Sequence, residues 1–259
     1  MKNDFLKGKR VLIAEDDFVN QKLIAHSMQA AGAEFDIAGN GKEAIELLMM
    51  GKYDLIMMDI NMPEMDGFEA THYIRQTLKL QIPIIAMTGW SSKDESNKFA
   101  DIGMNGSLAK PFGLDALYKT LHEVLIERVS ATISVPEIKE DTHMDKPMVD
   151  LTMLNELSES DSEYKKTIIQ MFLDSMPETI QQIEAAYVAG DWDALSKSAH
   201  YAKSSLSVIN VEDLRLLVGK IEMNAKKLEN LDQLGGMVND VKLKYANVVG
   251  FLMDEMKKY

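Results

Sequence analysis

The 259-residue chain contains no cysteine, which removes disulfide frameworks and thiolate metal sites together. It also lacks any excess of positive charge: 28 Lys and Arg stand against 41 Asp and Glu, for a net charge of −13. Residues 1–128, 129–149 and 150–259 are each acidic. Neutralising several phosphates requires a basic patch, so nucleic acid is not an expected partner. No apolar run approaches the roughly 20 residues that span a bilayer, and MKNDFLKGKR has no signal-peptide core. Direct membrane insertion is therefore not expected, and the expected location is cytoplasmic. Glycine-rich nucleotide loops are missing too, a P-loop included, so the chain is not expected to consume ATP, and whether it is an enzyme stays open. What remains is 46% hydrophobic and 27% charged, a composition of packed domains at a length that favours two of them.

The first domain is written in short apolar runs: Val11 to Ala14, Glu34 to Ala38, Leu55 to Met58, Ile82 to Met87 and Ser107 to Ala109. Helix-length amphipathic segments separate them, the last carrying Leu114, Leu117, Leu121, Val124 and Leu125. Such alternation predicts five β/α units with a parallel sheet covered on both faces, over residues 1–128. Residues 129–149 hold two prolines, mixed charge and no period, which predicts a linker. From 150 to 259 only helical spacing is left: Tyr164, Ile168, Phe172, Met176, Ile180, Ile183 and Tyr187, then Leu214, Leu217, Ile221 and Leu228, then Leu234, Val238, Val241, Tyr245, Val248 and Leu252. An antiparallel four-helix bundle buries such stripes, with Pro177 expected to kink or restart the first long helix.

Polar residues collect where the strands end. Glu15, Asp16 and Asp17 follow the first run, Asp59 closes the third, Thr88 the fourth and Lys110 the fifth. In an open α/β sheet these ends converge on one crevice. Crowded carboxylates call for a hard cation such as Mg2+, and beside it a carboxylate can act as a nucleophile on phosphorus. Singly, Asp16 or Asp17 would read equally well as an ordinary helix N-cap. The Asp16–Asp17 pair, the run DINMPEMDG from Asp59 to Gly67, Met87-Thr88 and Lys110-Pro111 resemble the receiver domain of two-component response regulators. That resemblance implies a flavodoxin-like (βα)5 fold, Asp59 as phosphoacceptor, and Mg2+ held by Asp16, Asp17, Asp59 and the Asn61 carbonyl. It further implies phosphoryl stabilisation by Thr88 and Lys110, and a cis Lys110–Pro111 peptide. Receivers carry an aromatic residue three positions before the lysine; here that position is Ser107, which argues against an aromatic switch, with Trp90 a weak substitute.

In the second domain, DWDALSKSAHYAKSSLSVIN predicts a helix from an Asp191 N-cap to about Asn210. Its stripe is Leu195, Ala199, Ala202, Leu206 and Ile209, and His200 lies roughly 140° from Leu195, which predicts a solvent-facing imidazole. Lys203 and Ser204 follow one turn on, a cation and a small neighbour suited to a phosphorylated nitrogen. The segment AHYAKSS is similar to histidine phosphotransfer (HPt) domains, with Ser204 and Asn210 where that family has glycine. The resemblance implies phosphoryl exchange at His200, assisted by Lys203. His26, His72, His122 and His143 lack such surroundings. Together the two resemblances imply a phosphorelay protein, either the C-terminal part of a hybrid sensor histidine kinase or a stand-alone relay. Its partners would be a sensor histidine kinase and other receiver or HPt domains. The alternative is a receiver switch joined to a non-phosphorylated helical interaction domain.

Overall fold

The computed structural model describes residues 4–89, 98–127, 149–158 and 161–258. Trp90, His143 and all but the last residue of the expected linker fall outside them. The chain divides into two units, Met1–Glu140 and Asp141–Tyr259.

The first unit is a parallel sheet of β1 (Arg10–Ala14), β2 (Glu34–Ala38), β3 (Leu55–Asp59), β4 (Ile84–Thr88) and β5 (Gly106–Ala109) in the order β2-β1-β3-β4-β5. Because side chains alternate along a strand, the central strands feed two separate cores. Leu12, Ala14, Ile56, Met58, Ile84 and Ala86 pack with Ala44, Ile45 and Leu48 of α2 (Gly41–Met50) and with Ala70 and Ile74 of α3 (Gly67–Gln76). Val11, Ile13, Leu55, Met57, Ile85 and Met87 pack on the other face with Ile24 and Met28 of α1 (Phe18–Ala30) and Leu117 and Leu121 of α4 (Leu114–His122). That two-sided burial explains why these strands read as continuous apolar runs rather than alternating ones. The chain order reverses between β1 and β3, so their C-terminal ends border the crevice. β4 starts at Ile84 rather than Ile82, because Pro83 has no N–H to give to the ladder and supplies only its carbonyl, to Ile56 N at 2.9 Å.

The second unit is helical: a short α5 (Thr152–Leu157), then α6 (Ser162–Ala189), α7 (Trp192–Val208), α8 (Glu212–Lys227) and α9 (Leu231–Met256). α6 packs on α7, α7 on α8, α8 on α9 and α9 on α6, which closes a four-helix bundle. Asp161 and Asp191 cap α6 and α7 by accepting from Tyr164 N and Ala194 N, each at 3.0 Å, and Gly190 takes the left-handed conformation (φ +67°) between them. The expected restart at Pro177 does not occur, since α6 runs unbroken for 28 residues. A proline inside a helix costs about 3 kcal/mol. Ile168, Phe172, Met176, Ile180 and Ile183, each contributing about 1.5–3 kcal/mol on burial, outweigh it.

Leu228 also departs from the expected stripe. It sits past the end of α8 at φ +57° and is 61% exposed, while Val218 and Ala225 complete the buried face. A branched side chain in that conformation costs about 1–2 kcal/mol, and this one recovers little burial. Leu228→Gly is therefore expected to stabilise the bundle by about 1 kcal/mol, seen as a higher urea midpoint for loss of helical circular dichroism.

Candidate functional site

Two clusters of charge stand out, one in each unit. In the first, Glu15 continues the line of β1 through its N–H to Ala38 O (3.0 Å) and is fully buried. Asp59 ends β3 and is 2% exposed. Lys110 follows β5, and its N–H donates to Thr88 O (2.7 Å), which ties the ends of β4 and β5 together. Its ammonium reaches across the strand ends to Glu15 Oε2 and Asp59 Oδ2, both at 2.6 Å. Burial works against the lysine charge, but Asp59 and then Glu15 more than reverse it and raise the ammonium pKa above its usual value. Burial also drives the Glu15 carboxyl well above its usual range; Lys110 opposes this, while Asp59 and Asp16 reinforce it.

Carboxylate oxygens of Glu15, Asp16 and Asp59 lie within 4.8 Å of one another, a donor set suited to a hard divalent cation. Asp17 is not among them. Its carboxylate turns to the start of α1, where Oδ1 accepts from Asn20 N at 2.8 Å, so it serves as the N-cap. The acidic pair that meets Asp59 is thus Glu15–Asp16, one position earlier than Asp16–Asp17. By type and position Glu15, Asp16 and Asp17 are equivalent strand-end acids in the sequence, and only the direction of each side chain separates them. Asn61 stands two residues past the strand, its N–H on Asp59 Oδ1 at 3.3 Å. Thr88 is buried at the end of β4, paired across the ladder with Ala109. The Lys110–Pro111 peptide is cis, as expected. Ser107 occupies β5 opposite Ala86. Met62 and Met65 contribute to the core.

The loop from Ile60 to Asp66 holds Asp59 from below. Gly67 N donates to Ile60 O (2.9 Å), and Asp66 and Glu69 form a reciprocal capping box at the start of α3. A Cβ on Gly67 would lie 2.2 Å from the carbonyl oxygen of Asp59.

In the second unit His200 and Lys203 lie one turn apart on α7, as the spacing requires. The imidazole is not solvent-facing, however: it is 16% exposed, and Nε2 has neither a hydrogen-bond partner nor more than 1 Å² of exposed surface. The reason is Glu222 on α8, which draws the ring into the seam between the helices. Nδ1 is 2.7 Å from Glu222 Oε1, and Lys203 Nζ is 2.5 Å from Glu222 Oε2. Burial raises the Glu222 carboxyl, but His200 and Lys203 together reverse this and hold its pKa below the usual value. An ionised Glu222 accepts only, so Nδ1 donates its N–H to the carboxylate. No spacing rule pointed to Glu222, which is 22 residues away on another helix. Gly219, one turn before it, lies beside the Lys203 stem, where a Cβ would make ordinary van der Waals contact at 3.6 Å.

Because a methyl group at position 67 collides with backbone rather than a movable side chain, Gly67→Ala is expected to cost about 2 kcal/mol or more. Urea denaturation of the full chain should show the loss in the first unit, with the helical unit unchanged.

Among the described residues no helix is long and apolar enough to cross a membrane. The chain matches the response regulator receiver domain over residues 11–122 and the Hpt domain over residues 167–248. Hybrid signal transduction histidine kinase B of Dictyostelium discoideum is 41% identical over 117 residues, covering 40% of this chain and 6% of that protein. Sensor protein EvgS of Escherichia coli (strain K12) is 26% identical over 241 residues, covering 92% of this chain and 19% of that protein. The chain thus spans less than a fifth of either relative. Of solved structures, the chemotaxis response regulator CheY4 of Vibrio cholerae is 33% identical, covering 45% of this chain and 98% of that one at a TM-score of 0.44. The two family matches fall on the two units in which the charged clusters lie, and the chain thus carries a response regulator receiver domain followed by an Hpt domain.

Proposed function

We propose that the chain passes a phosphoryl group between Asp59 and a histidine, with His200 as the second acceptor and other relay proteins as donors and recipients. The observation that carries this reading is the buried ammonium of Lys110 set 2.6 Å from both Asp59 and Glu15. A cation in that place orients the Asp59 carboxylate and then pairs with phosphoryl oxygens as an acyl phosphate forms on it. Thr88, at the neighbouring strand end, donates its hydroxyl to one of those oxygens. Glu15, Asp16, Asp59 and the Asn61 carbonyl would hold Mg2+, while Asp17 caps α1. When bound, Mg2+ neutralises charge between the carboxylates and the incoming phosphoryl oxygens.

In the Hpt domain, His200 Nε2 is the nucleophile, and its lone pair is kept available by the Glu222 contact at Nδ1. Glu222 acts as a positioning residue. Lys203 balances the added charge of the phosphoryl group. Transfer requires Nε2, buried in this conformation, to emerge from the seam. The partners in this reading are a sensor histidine kinase and other receiver or Hpt domains, and the setting is the cytoplasm.

Phosphoramidate with Mg2+ is expected to label the His200→Gln chain at Asp59 in an alkali-labile form. Mixed with the Asp59→Asn chain, it should pass the label to His200 in acid-labile, alkali-stable form. No movement of label between the two variants would sink the relay and leave the alternative of a receiver joined to a non-phosphorylated interaction domain. For the metal, calorimetry should show Mg2+ affinity falling at least about tenfold in Asp16→Ala, as expected for loss of a ligand. Asp17→Ala should bind Mg2+ within about threefold of the parent yet lose about 1 kcal/mol of stability through the lost cap.

A further inference from the structure

Three serines follow Lys203 on α7, and their hydroxyls are placed differently. Ser207 bonds back to the Lys203 carbonyl at 3.0 Å, as serines inside helices commonly do, and Ser205 is 1% exposed. Ser204 is 7% exposed, yet among the described residues its hydroxyl has no hydrogen-bond partner. It stands one turn after His200, at the position where the Hpt resemblance expects glycine and therefore no donor. A second unpartnered polar group lies on that preceding turn, Nε2 of His200 itself. At about 100° per residue, Lys203 falls about 60° to one side of His200 on the helix surface and Ser204 about 40° to the other. On the first side Glu222 of α8 engages both Lys203 and Nδ1 of the ring. Helical side chains lean toward the N-terminus, so Ser204 leans over the turn that carries His200, on the flank away from Lys203.

We propose that the Ser204 hydroxyl donates a hydrogen bond to the phosphoryl group carried on His200 Nε2, and so shifts the relay toward phosphohistidine. This rests on the reading of His200 as a phosphoryl acceptor. A phosphoryl group answers both unpartnered atoms at once, since its phosphorus bonds to Nε2 and its anionic oxygens accept from the hydroxyl. Lys203 supplies charge on one flank of the ring and Ser204 a donor on the other. The hydroxyl keeps its proton throughout. When a carboxylate oxygen of a receiving aspartate attacks phosphorus, the P–Nε2 bond breaks, its electron pair returns to Nε2, and the hydrogen bond from Ser204 is given up as the group leaves. That bond exists with the group on histidine and not with the group on aspartate. It therefore changes the ratio of uptake to return, whereas a side chain that only shaped the surface would slow or speed both directions alike. A hydrogen bond to a charged acceptor is worth about tenfold or more in such a ratio.

The test uses the full chain. Label is passed in both directions between the His200→Gln chain, phosphorylated at Asp59, and the Asp59→Asn chain, which accepts at His200, with Ser204 kept or replaced in the second. Ser204→Ala removes a single oxygen and favours the helix, so folding is preserved. Its ratio of uptake rate to return rate is expected to fall about tenfold, chiefly through faster return. Ser204→Thr, which keeps the hydroxyl, should stay within about threefold of the parent. An unchanged ratio in Ser204→Ala would overturn the proposal. A ratio that rises in that variant would do so too, because the side chain would then only obstruct the ring, as would a Ser204→Thr chain no better than Ser204→Ala. Failure of the relay itself reads differently: acid-labile label would then be absent from the Asp59→Asn chain that retains both His200 and Ser204.

Discussion

The receiver site depends on a conflict that only a buried cation resolves. Three carboxyl groups are brought to the end of one sheet, and unit charges about 4 Å apart near a protein surface repel by about 4 kcal/mol. Lys110 sits between two of them, held at the mouth of β5 by its backbone bond to Thr88. Removing such a partner from a buried pair leaves uncompensated charge, a larger penalty than the pair itself contributes. The same opposition sets the pKa values of the site: Lys110 is held above its ordinary value by its acids, and Glu15 is pushed upward by burial. Three carboxylates gathered around one ammonium form a donor set suited to a divalent cation, whose charge would offset their mutual repulsion.

The Hpt domain solves the converse problem. There a single carboxylate, Glu222, serves two groups that are or can become cationic, His200 and Lys203. Each side chain satisfies a different oxygen, so one acid both orients the ring and anchors the lysine. The fold of each unit suits its arrangement. Parallel strands end side by side and can pool acids from β1 and β3 with a lysine from β5, whereas packed helices bring together residues one turn apart on α7 and one from the facing helix α8.

Several details follow from backbone placement rather than side-chain chemistry. Gly67 is required because the first turn of α3 abuts the Asp59 carbonyl, so the glycine that ends DINMPEMDG protects the geometry of the residue that begins it. Asp17 looks like a metal ligand by type and position, yet its Oδ1 caps the helix that starts beside it. At Pro177 and Leu228 local preference points one way and the structure another. Bundle packing overrides the first, and the second is an exposed turn residue where no packing repays the strained backbone.

The sequence by itself determined the two units, the five strand ends, and the candidates Asp59, Thr88, Lys110, His200 and Lys203. These are local properties: apolar runs mark strands, 3.6-residue spacing marks helices, and residues at strand ends or one turn apart are neighbours by construction. Tertiary structure alone decided that Glu15 and not Asp17 joins the acidic cluster, that Glu222 partners both His200 and Lys203, and that the imidazole lies in a helix seam. Each of those turns on which way a side chain points or on a contact between residues distant in the chain, and neither is encoded in the spacing of one element.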